Sequence, residues 1–508
     1  VIERIDAQVD GLHTAVFLDG SVSGPRPALV LRTPYGVEDR VADASRMAAD
    51  GVAVVIQDVR GRFGSAEAGP FDLGLTDRAD GVACVGWARE QPWCDGRVGL
   101  WGFSYGGFTQ WKALLGCAEA GVPVVCAAPS MAPPPWQGVD FRRGGAVELS
   151  AAVHWLPRQA FRFDQAFETE HVLDAAGHVD IDLALAHPAL ADPRTRSTVE
   201  RVVGNGEFAG LWEQVFAGDA ARPGAEGCVD APLLIVGSWY DVWGEGTTEA
   251  FAWARRNSVS PAVARSHRLI MAPHGHGFDP PREVDLGPDA LRFGLDVDHR
   301  WALEWLFDRD RSLRDLAPVT YFSIGPNEWR SAPSWPPPGA DVVTFDLPGA
   351  GRSYRYDPAR PVPTRGGAGL GLPPGPSDQH GLSGAERDDV LTYEWPALER
   401  ALDLAGPVTA LLEVTSASRH LDLTAKLVDV DPDGRAMSIC DGISRVGIDR
   451  PRALVEVRLG VVGYVVAVGH HLRLDVSCSN FPRFDLNPQC GPTEVTVHSG
   501  GVEVVAFP

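Results

Sequence analysis

The chain has 508 residues, which at about 150 residues per domain suggests roughly three domains. Its 45 Lys and Arg against 67 Asp and Glu leave a formal charge of −22, and that balance argues against an extended nucleic-acid contact surface, which needs a basic field. With 44% hydrophobic and 22% charged residues the composition suits a well-packed globular protein and excludes a wholly disordered one. No stretch approaches about eighteen uninterrupted apolar residues, so no membrane span is expected. The opening residues Val1 to Asp6 lack a basic segment followed by an apolar run and do not read as a signal peptide. Eight cysteines with no close CxxC pair read as mostly buried thiols in a reducing compartment, the cytoplasm. Cys478 and Cys490 are the two that would pair in an oxidising one.

Residues 1–130 alternate apolar runs with helical patterns. Strands are expected at Ala28 to Thr33, Val52 to Asp58, Val98 to Phe103 and Val122 to Ala127, with helices at Asp77 to Glu90 and Tyr105 to Ala118. Continuous apolar strands between helices imply a parallel sheet covered on both faces. The rhythm breaks at Pro133-Pro134-Pro135. Helical stretches then fit Val147 to Trp155, 181–187 and 197–203, so residues 131–220 read as a helical insertion. The α/β pattern returns with a strand at Leu233 to Gly237, a helix near Thr247 to Arg256, a strand at His267 to Ala272 and a helix at Arg300 to Arg309. After residue 315 short β-rich runs dominate, from Val319 to Ile324 through His471 to Val476, punctuated by Gly, Pro and Asp, as in a β-sandwich or jelly roll. Residues 357–380, rich in Pro and Gly, read either as a flexible linker or as a long ordered loop over the core.

The chemistry-bearing signal is Gly102-Phe103-Ser104-Tyr105-Gly106, a GxSxG pattern between an expected strand and an expected helix. That is the context of a nucleophile elbow, in which small glycines permit the tight turn and the helix N-terminus presents N–H groups to a developing oxyanion. A serine hydroxyl needs a base, and the base an orienting carboxylate. In such folds the order is Ser, acid, His. Asp241 follows the strand at Leu233 to Gly237, with Glu245 and Glu249 as alternatives near or inside the next helix. His274 and His276 both follow the next strand, and topology leaves the choice between them even.

Five segments together resemble the CocE/NonD hydrolases, the superfamily of cocaine esterase, X-prolyl dipeptidyl aminopeptidase (peptidase S15) and α-amino-acid ester hydrolase. They are Arg32-Thr33-Pro34-Tyr35-Gly36, Gln57-Asp58-Val59-Arg60-Gly61-Arg62-Phe63-Gly64-Ser65, Gly99 to Gly107, Gly237-Ser238-Trp239-Tyr240-Asp241 and Ala272-Pro273-His274-Gly275-His276. The segment Asp357 to Thr364 resembles that family's long loop. The resemblance implies an α/β-hydrolase domain from 1–130 and 221–315, a helical cap at 131–220 and a jelly-roll-like β-sandwich at 316–508. The family's Gly-Pro-Trp-x-His pattern puts the base at His276, with His274 standing where the family has Trp. It also implies that the Tyr35 hydroxyl is an oxyanion donor beside the Tyr105 backbone N–H. The implied activity is serine hydrolysis of small, partly apolar esters through an acyl-enzyme. The implied partner is a small-molecule ester or amide, with no nucleic acid or membrane; a homodimer is compatible with it.

Trp136, Trp155, Trp239 and Trp243 fall near the expected cleft mouth, where they serve either core packing or an apolar acyl or leaving-group pocket. His274, His276 and Asp279, and the His470-His471 pair, lack the spacing of a zinc motif, and the Gly61 to Gly64 turn lacks the GxGxxG spacing of a phosphate loop. No metal or cofactor is therefore expected, and Arg60 reads as a structural guanidinium tying loops together. The rival readings are an X-Pro or other small-amide peptidase, which needs a cavity anchoring a free α-amino group, and a non-catalytic binding protein, against which the intact Ser104, Asp241, His276 and Tyr35 set argues.

Overall fold

The computed structural model describes residues 1–74, 76–138, 141–160, 226–294, 296–349, 351–449 and 452–508. β1 (Ile2–Val9) and β2 (Leu12–Asp19) form an antiparallel hairpin that the sequence reading did not anticipate. β2 pairs antiparallel with β4 (Ala53–Asp58), and β3 (Arg26–Thr33) lies parallel between β4 and β5 (Cys94–Leu100). Every residue of β3 and β4 is buried. The reason is the period of two along a strand: successive side chains enter different cores. Ala28, Val30, Ala53 and Val55 pack with Cys84 and Ala88 of the helix Asp77–Glu90 and with Trp111 and Leu114 of the helix Tyr105–Ala120. Leu29, Leu31, Val54 and Ile56 pack with Ala44 and Met47 of the helix Val41–Ala48 and with Trp301 and Leu306 of the helix Val297–Phe307.

The run expected as a strand at Val122 to Ala127 is an extended connector that joins two half-sheets. Cys126 bridges Gly99, Ala127 bridges Leu233, and Ser130 bridges both Phe103 and Val236. After it come the hairpin β6 (Arg142–Arg143) and β7 (Ala146–Val147) and the helix Leu149–Ala160. The expected helices at 181–187 and 197–203, and with them most of the expected cap at 131–220, lie outside the described residues.

β8 (Leu234–Tyr240) and β9 (Arg268–Gly275) pair in parallel. β10 (Val319–Ser323) also pairs parallel to β9, Val319 opposite Leu269 and Tyr321 opposite Met271, and β11 (Glu328–Ala332) closes that edge antiparallel. β10 and β11 thus extend the α/β half-sheet, although the sandwich is expected from residue 316. A short strand such as Val319–Ser323 looks the same in sequence at the edge of an α/β sheet as in a sandwich, and only its partner distinguishes them.

The C-terminal part is a jelly-roll-like pair of antiparallel sheets. One has the order β12 (Asp341–Asp346), β20 (Thr493–Phe507), β15 (Leu402–Ser416), β18 (Ala453–Val466), with β13 (Arg352–Tyr356) also on β20. The other has the order β14 (Leu391–Glu394), β19 (His471–Ser477), β16 (His420–Val430), β17 (Ala436–Gly447). The two parts share one apolar core, and Ile324 bonds to Gly463 and Val465 across the junction. The Pro- and Gly-rich stretch at 357–380 is an ordered loop. Gly367 and Gly375 exchange backbone hydrogen bonds, Gly369 N–H donates to the Tyr240 carbonyl, and Pro374 lies so close to Gly275 that a Cβ there would come within 2.5 Å of it. The loop thus crosses the ends of β8 and β9, where Asp241 and His276 follow. Among the described residues no helix is long and apolar enough to cross a membrane.

Candidate active site

The site is built where β5 ends. Ser104 adopts φ 60°, ψ −121°, a backbone conformation that L-residues rarely take, and it persists because its surroundings fix it. Its N–H donates to the Ser130 carbonyl at 2.9 Å, and its own carbonyl accepts from Gly107 and Phe108 N–H in the first turn of the helix Tyr105–Ala120. Gly102 sits at φ +134°, a conformation that favours glycine, and a Cβ on Gly102 or Gly106 would press on Leu31 Cδ1 at 2.6 or 2.8 Å. From below, the buried Asp298 carboxylate accepts the Gly102 N–H at 3.2 Å.

His276, just past β9, places Nε2 3.1 Å from Ser104 Oγ and Nδ1 3.0 Å from Asp241 Oδ1. Its ring is fixed by Phe103, centroids 4.7 Å apart, and by an edge contact with Trp243 at 5.4 Å. Gly277 N–H donates to Met131 Sδ, tying the His276 loop to the segment behind the elbow. Asp241 is buried and its carbonyl accepts the Gly244 N–H, so the turn after β8 holds it rigidly. Ser104, His276 and Asp241 therefore form one hydrogen-bonded line of hydroxyl, imidazole and carboxylate. Such a line can move a proton from the hydroxyl to the imidazole while the carboxylate orients the ring.

The alternatives lie elsewhere. His274 is buried against Phe278, and burial pushes its imidazole down to about 4. Glu245 pairs with Arg458 at 2.6 Å and Arg143 at 3.7 Å, and Glu249 with Arg458. Arg60 spans Asp80 and the Ala68 carbonyl, the loop-tying role its sequence suggests.

Tyr35 follows β3 and brings its hydroxyl to the same place. The hydroxyl accepts from Trp155 Nε1 at 3.1 Å and interacts with the Ser104 side chain. Burial raises the phenol above its ordinary range, outweighing the opposite pulls of Trp155, Ser104, Arg40 and Arg62, so it stays a neutral donor. Tyr105 opens the helix, so its N–H has no carbonyl a turn earlier to bond. Its side chain points away, donating to Asp77 Oδ2 at 3.0 Å, and burial beside that carboxylate raises its phenol well above the ordinary value.

Of the four tryptophans, two reach the site. Trp155 stacks on Tyr105 at 6.0 Å and meets Phe71 and Phe141; Trp243 stacks on Phe141 at 6.3 Å. These rings, with Val59, Val147 and Val242, form one apolar cluster against which Tyr35 and Leu370 pack. Trp136 packs on Trp253 at 6.1 Å and, with Phe141, Val242 and Trp243, lines a cavity of about 350 Å³. Trp239 belongs to the core: its indole donates to the Phe322 carbonyl at 2.8 Å and its ring lies against Tyr321 and Trp335. Its place inside β8 explains why, since a central strand is enclosed by its neighbours. The sequence reading missed Phe71, Phe103 and Phe141, rings far apart in the chain that no local pattern connects.

Known proteins resemble this chain over most of its length. Residues 9–277 match the family model for X-Pro dipeptidyl-peptidase (S15 family), and residues 312–502 match that for the X-Pro dipeptidyl-peptidase C-terminal non-catalytic domain. The cocaine esterase of Rhodococcus sp. (strain MB1 Bresler) is 32% identical, the match covering 95% of this chain and 91% of that protein. Among solved structures, an aminopeptidase from a marine-sediment Thaumarchaeota archaeon superposes with a TM-score of 0.78 at 20% identity, over 100% of this chain and 97% of that one. An α-amino acid ester hydrolase superposes with a TM-score of 0.73 at 19% identity, over 99% and 96%. At those identities the two structures testify to the fold.

Proposed function

The chain belongs to the X-Pro dipeptidyl-peptidase (S15) family, within the CocE/NonD superfamily of serine hydrolases, and from that premise we propose that it cleaves carboxylic esters of small, partly apolar acyl groups through an acyl-enzyme on Ser104. The observation that carries this reading is the line Ser104 Oγ, His276 Nε2, His276 Nδ1, Asp241 Oδ1, with spacings of 3.1 and 3.0 Å. Ser104 attacks the ester carbonyl as His276 takes its proton. Asp241 holds the imidazole in the tautomer that accepts at Nε2 and stabilises the imidazolium that results. The carbonyl oxygen becomes an oxyanion, which the Tyr35 hydroxyl and the Tyr105 N–H receive. His276 then protonates the departing alkoxide, and water repeats the sequence on the acyl-enzyme to release the acid.

The acyl group is assigned to the apolar cluster of Phe71, Phe141, Trp155 and Trp243. Burying one ring-sized acyl group there supplies binding but no carbonyl polarisation, so this wall selects the substrate while Tyr35 and the elbow perform the chemistry. The Asp77 carboxylate beneath Tyr105 is engaged by Arg32 at 3.0 Å and by the Tyr105 hydroxyl. That engagement favours an uncharged acyl group over a free α-amine on this side of the pocket.

A fluorophosphonate tests the reading, because it labels only an activated serine. Mass spectrometry is expected to place the adduct on Ser104, and Ser104→Ala is expected to lose both labelling and turnover with its circular dichroism unchanged. A panel of p-nitrophenyl esters against X-Pro-p-nitroanilides assigns the substrate class. Retention of more than about a tenth of the kcat by Ser104→Ala would reject the nucleophile. Efficient turnover of the anilides would turn the reading to a peptidase.

A further inference from the structure

The Tyr35 hydroxyl can hold an oxyanion only if the turn that carries it does not drift. That turn, 34–37, has no regular secondary structure of its own until Glu38. Its backbone is instead gripped by the loop after β4. Arg62, with no exposed surface, donates from Nε to the Pro34 carbonyl at 3.1 Å. Asp58, at the end of β4, accepts the Val37 N–H on Oδ1 at 2.9 Å. One residue before Tyr35 and two after it are thus held by two side chains four positions apart in the motif Asp58-Val59-Arg60-Gly61-Arg62. Between them, Phe63 lies under Gly36, whose φ is +97° and where a Cβ would stand 3.2 Å from that ring. Tyr35 N–H completes the turn by donating to Thr33 Oγ1.

The two clamps are themselves fixed. The Arg62 guanidinium lies over the Phe63 and Phe71 rings at 5.2 and 5.3 Å. Asp58 Oδ2 accepts the Gly64 N–H at 3.0 Å and meets His13 Nδ1 at 3.1 Å, while the Ser65 hydroxyl donates to the Asp58 carbonyl. Gly64 is required there, because a Cβ would fall 2.6 Å from the His13 ring. The triad's own hydrogen bonds, from Ser104 to His276 and from His276 to Asp241, involve neither clamp.

From this we infer that Arg62 and Asp58 are positioning residues whose function is to hold the Tyr35 hydroxyl at the oxyanion. The inference rests on the reading of Tyr35 as an oxyanion donor. A purely structural buried Arg–carbonyl bond would stabilise the fold and leave the transition state alone. A positioning bond acts through Tyr35, so its loss has little left to damage once the hydroxyl is gone.

That difference is measurable in a double-mutant cycle of Arg62→Met and Tyr35→Phe, with kcat and KM read on a poor alkyl ester. Arg62→Met alone is expected to lower kcat by about tenfold or more with KM changed less than about threefold, since small displacements of a transition-state donor cost rate. In the Tyr35→Phe background the same substitution is expected to lower kcat by less than about threefold, the signature of residues acting as a unit. Val37→Pro is the second variant, which keeps the cycle readable where Arg62→Met does not fold. Its φ of −56° suits proline, which removes the N–H that Asp58 accepts; the buried Val37 side chain is lost with it, so Val37→Ala serves as the packing control, and the same non-additivity is expected beyond that control. Wild-type kcat in these variants, or an equal loss in both backgrounds, overturns the clamp while leaving Tyr35 as donor. Wild-type kcat in Tyr35→Phe alone overturns the donor role and the clamp with it.

Discussion

Tyr35→Phe removes one oxygen atom and keeps the ring, and the structure separates what that oxygen does into two effects. In the resting enzyme it accepts from Trp155 Nε1 at 3.1 Å. Trp155 is only 7% exposed, so the lost acceptor leaves a nearly dry indole N–H, at a stability cost of about 1–3 kcal/mol. On the proposed mechanism the same hydroxyl donates to the oxyanion in the transition state, and losing such a donor costs about 3–4 kcal/mol of barrier, a fall of roughly 10²–10³ in kcat. The kinetic effect outweighs the loss of stability, so the variant should fold, label slowly with a fluorophosphonate and show depressed kcat with KM little changed. Trp155→Phe is the companion variant: it removes the indole donor and leaves the Tyr35 hydroxyl, so stability falls while kcat falls less than in Tyr35→Phe. Steady-state kinetics on one activated and one poor ester, with denaturant unfolding of each variant, separates the two effects. A Tyr35→Phe enzyme with unchanged kcat on the poor ester would refute the argument.

Two further predictions concern buried titratable groups. Burial lowers the His274 imidazole to about 4 from an ordinary 6.5, so between those values the unfolded chain binds the proton that the native state refuses. Its contribution is present above pH 6.5 and lost as pH falls through 4; His274→Phe, which keeps the contact with Phe278, should blunt this acid loss in urea melts at a series of pH values. Its kcat should stay near wild type, and a collapse of turnover would return His274 to the catalytic line. Burial raises the Asp298 carboxyl to about 6 from 3.8, so here the native state binds the extra proton and stability falls as pH rises through that window. The carboxylate accepts both the Gly102 and the His299 N–H, and Asp298→Asn can accept only one of them, so the variant should lose stability at acid pH but show no further fall as pH rises from 3.8 to 6. Parallel stability–pH curves for variant and wild type would contradict this.

Much of the site was legible because its pieces are local. A strand, a glycine-flanked serine and a helix are contiguous from Val98 to Ala120, and the α/β rhythm that placed Asp241 and His276 after successive strands is a period-two and period-3.6 pattern in the chain itself. The choice between His274 and His276 was not local. Both follow the apolar run of β9, and what distinguishes them is which ring meets Ser104 and Asp241, residues 172 and 35 positions away in the chain.

Around the elbow and the strands before Asp241 and His276 the sequence alone determined element type and order, and through them which residue types could serve as nucleophile, acid and base, because backbone sterics and apolar periodicity act over a few residues. Tertiary structure decided everything that depends on partners distant in the chain. It put Val319–Ser323 beside β9 rather than in the sandwich. It sent Trp239 into the core and Trp155 to the Tyr35 hydroxyl, although both are tryptophans in segments expected near the cleft. It also turned Arg62 and Asp58 from residues of a loop motif into a grip on the Tyr35 turn. The physical reason is common to all of these: a hydrogen bond or a ring contact is worth something only where the fold excludes water and brings both partners together.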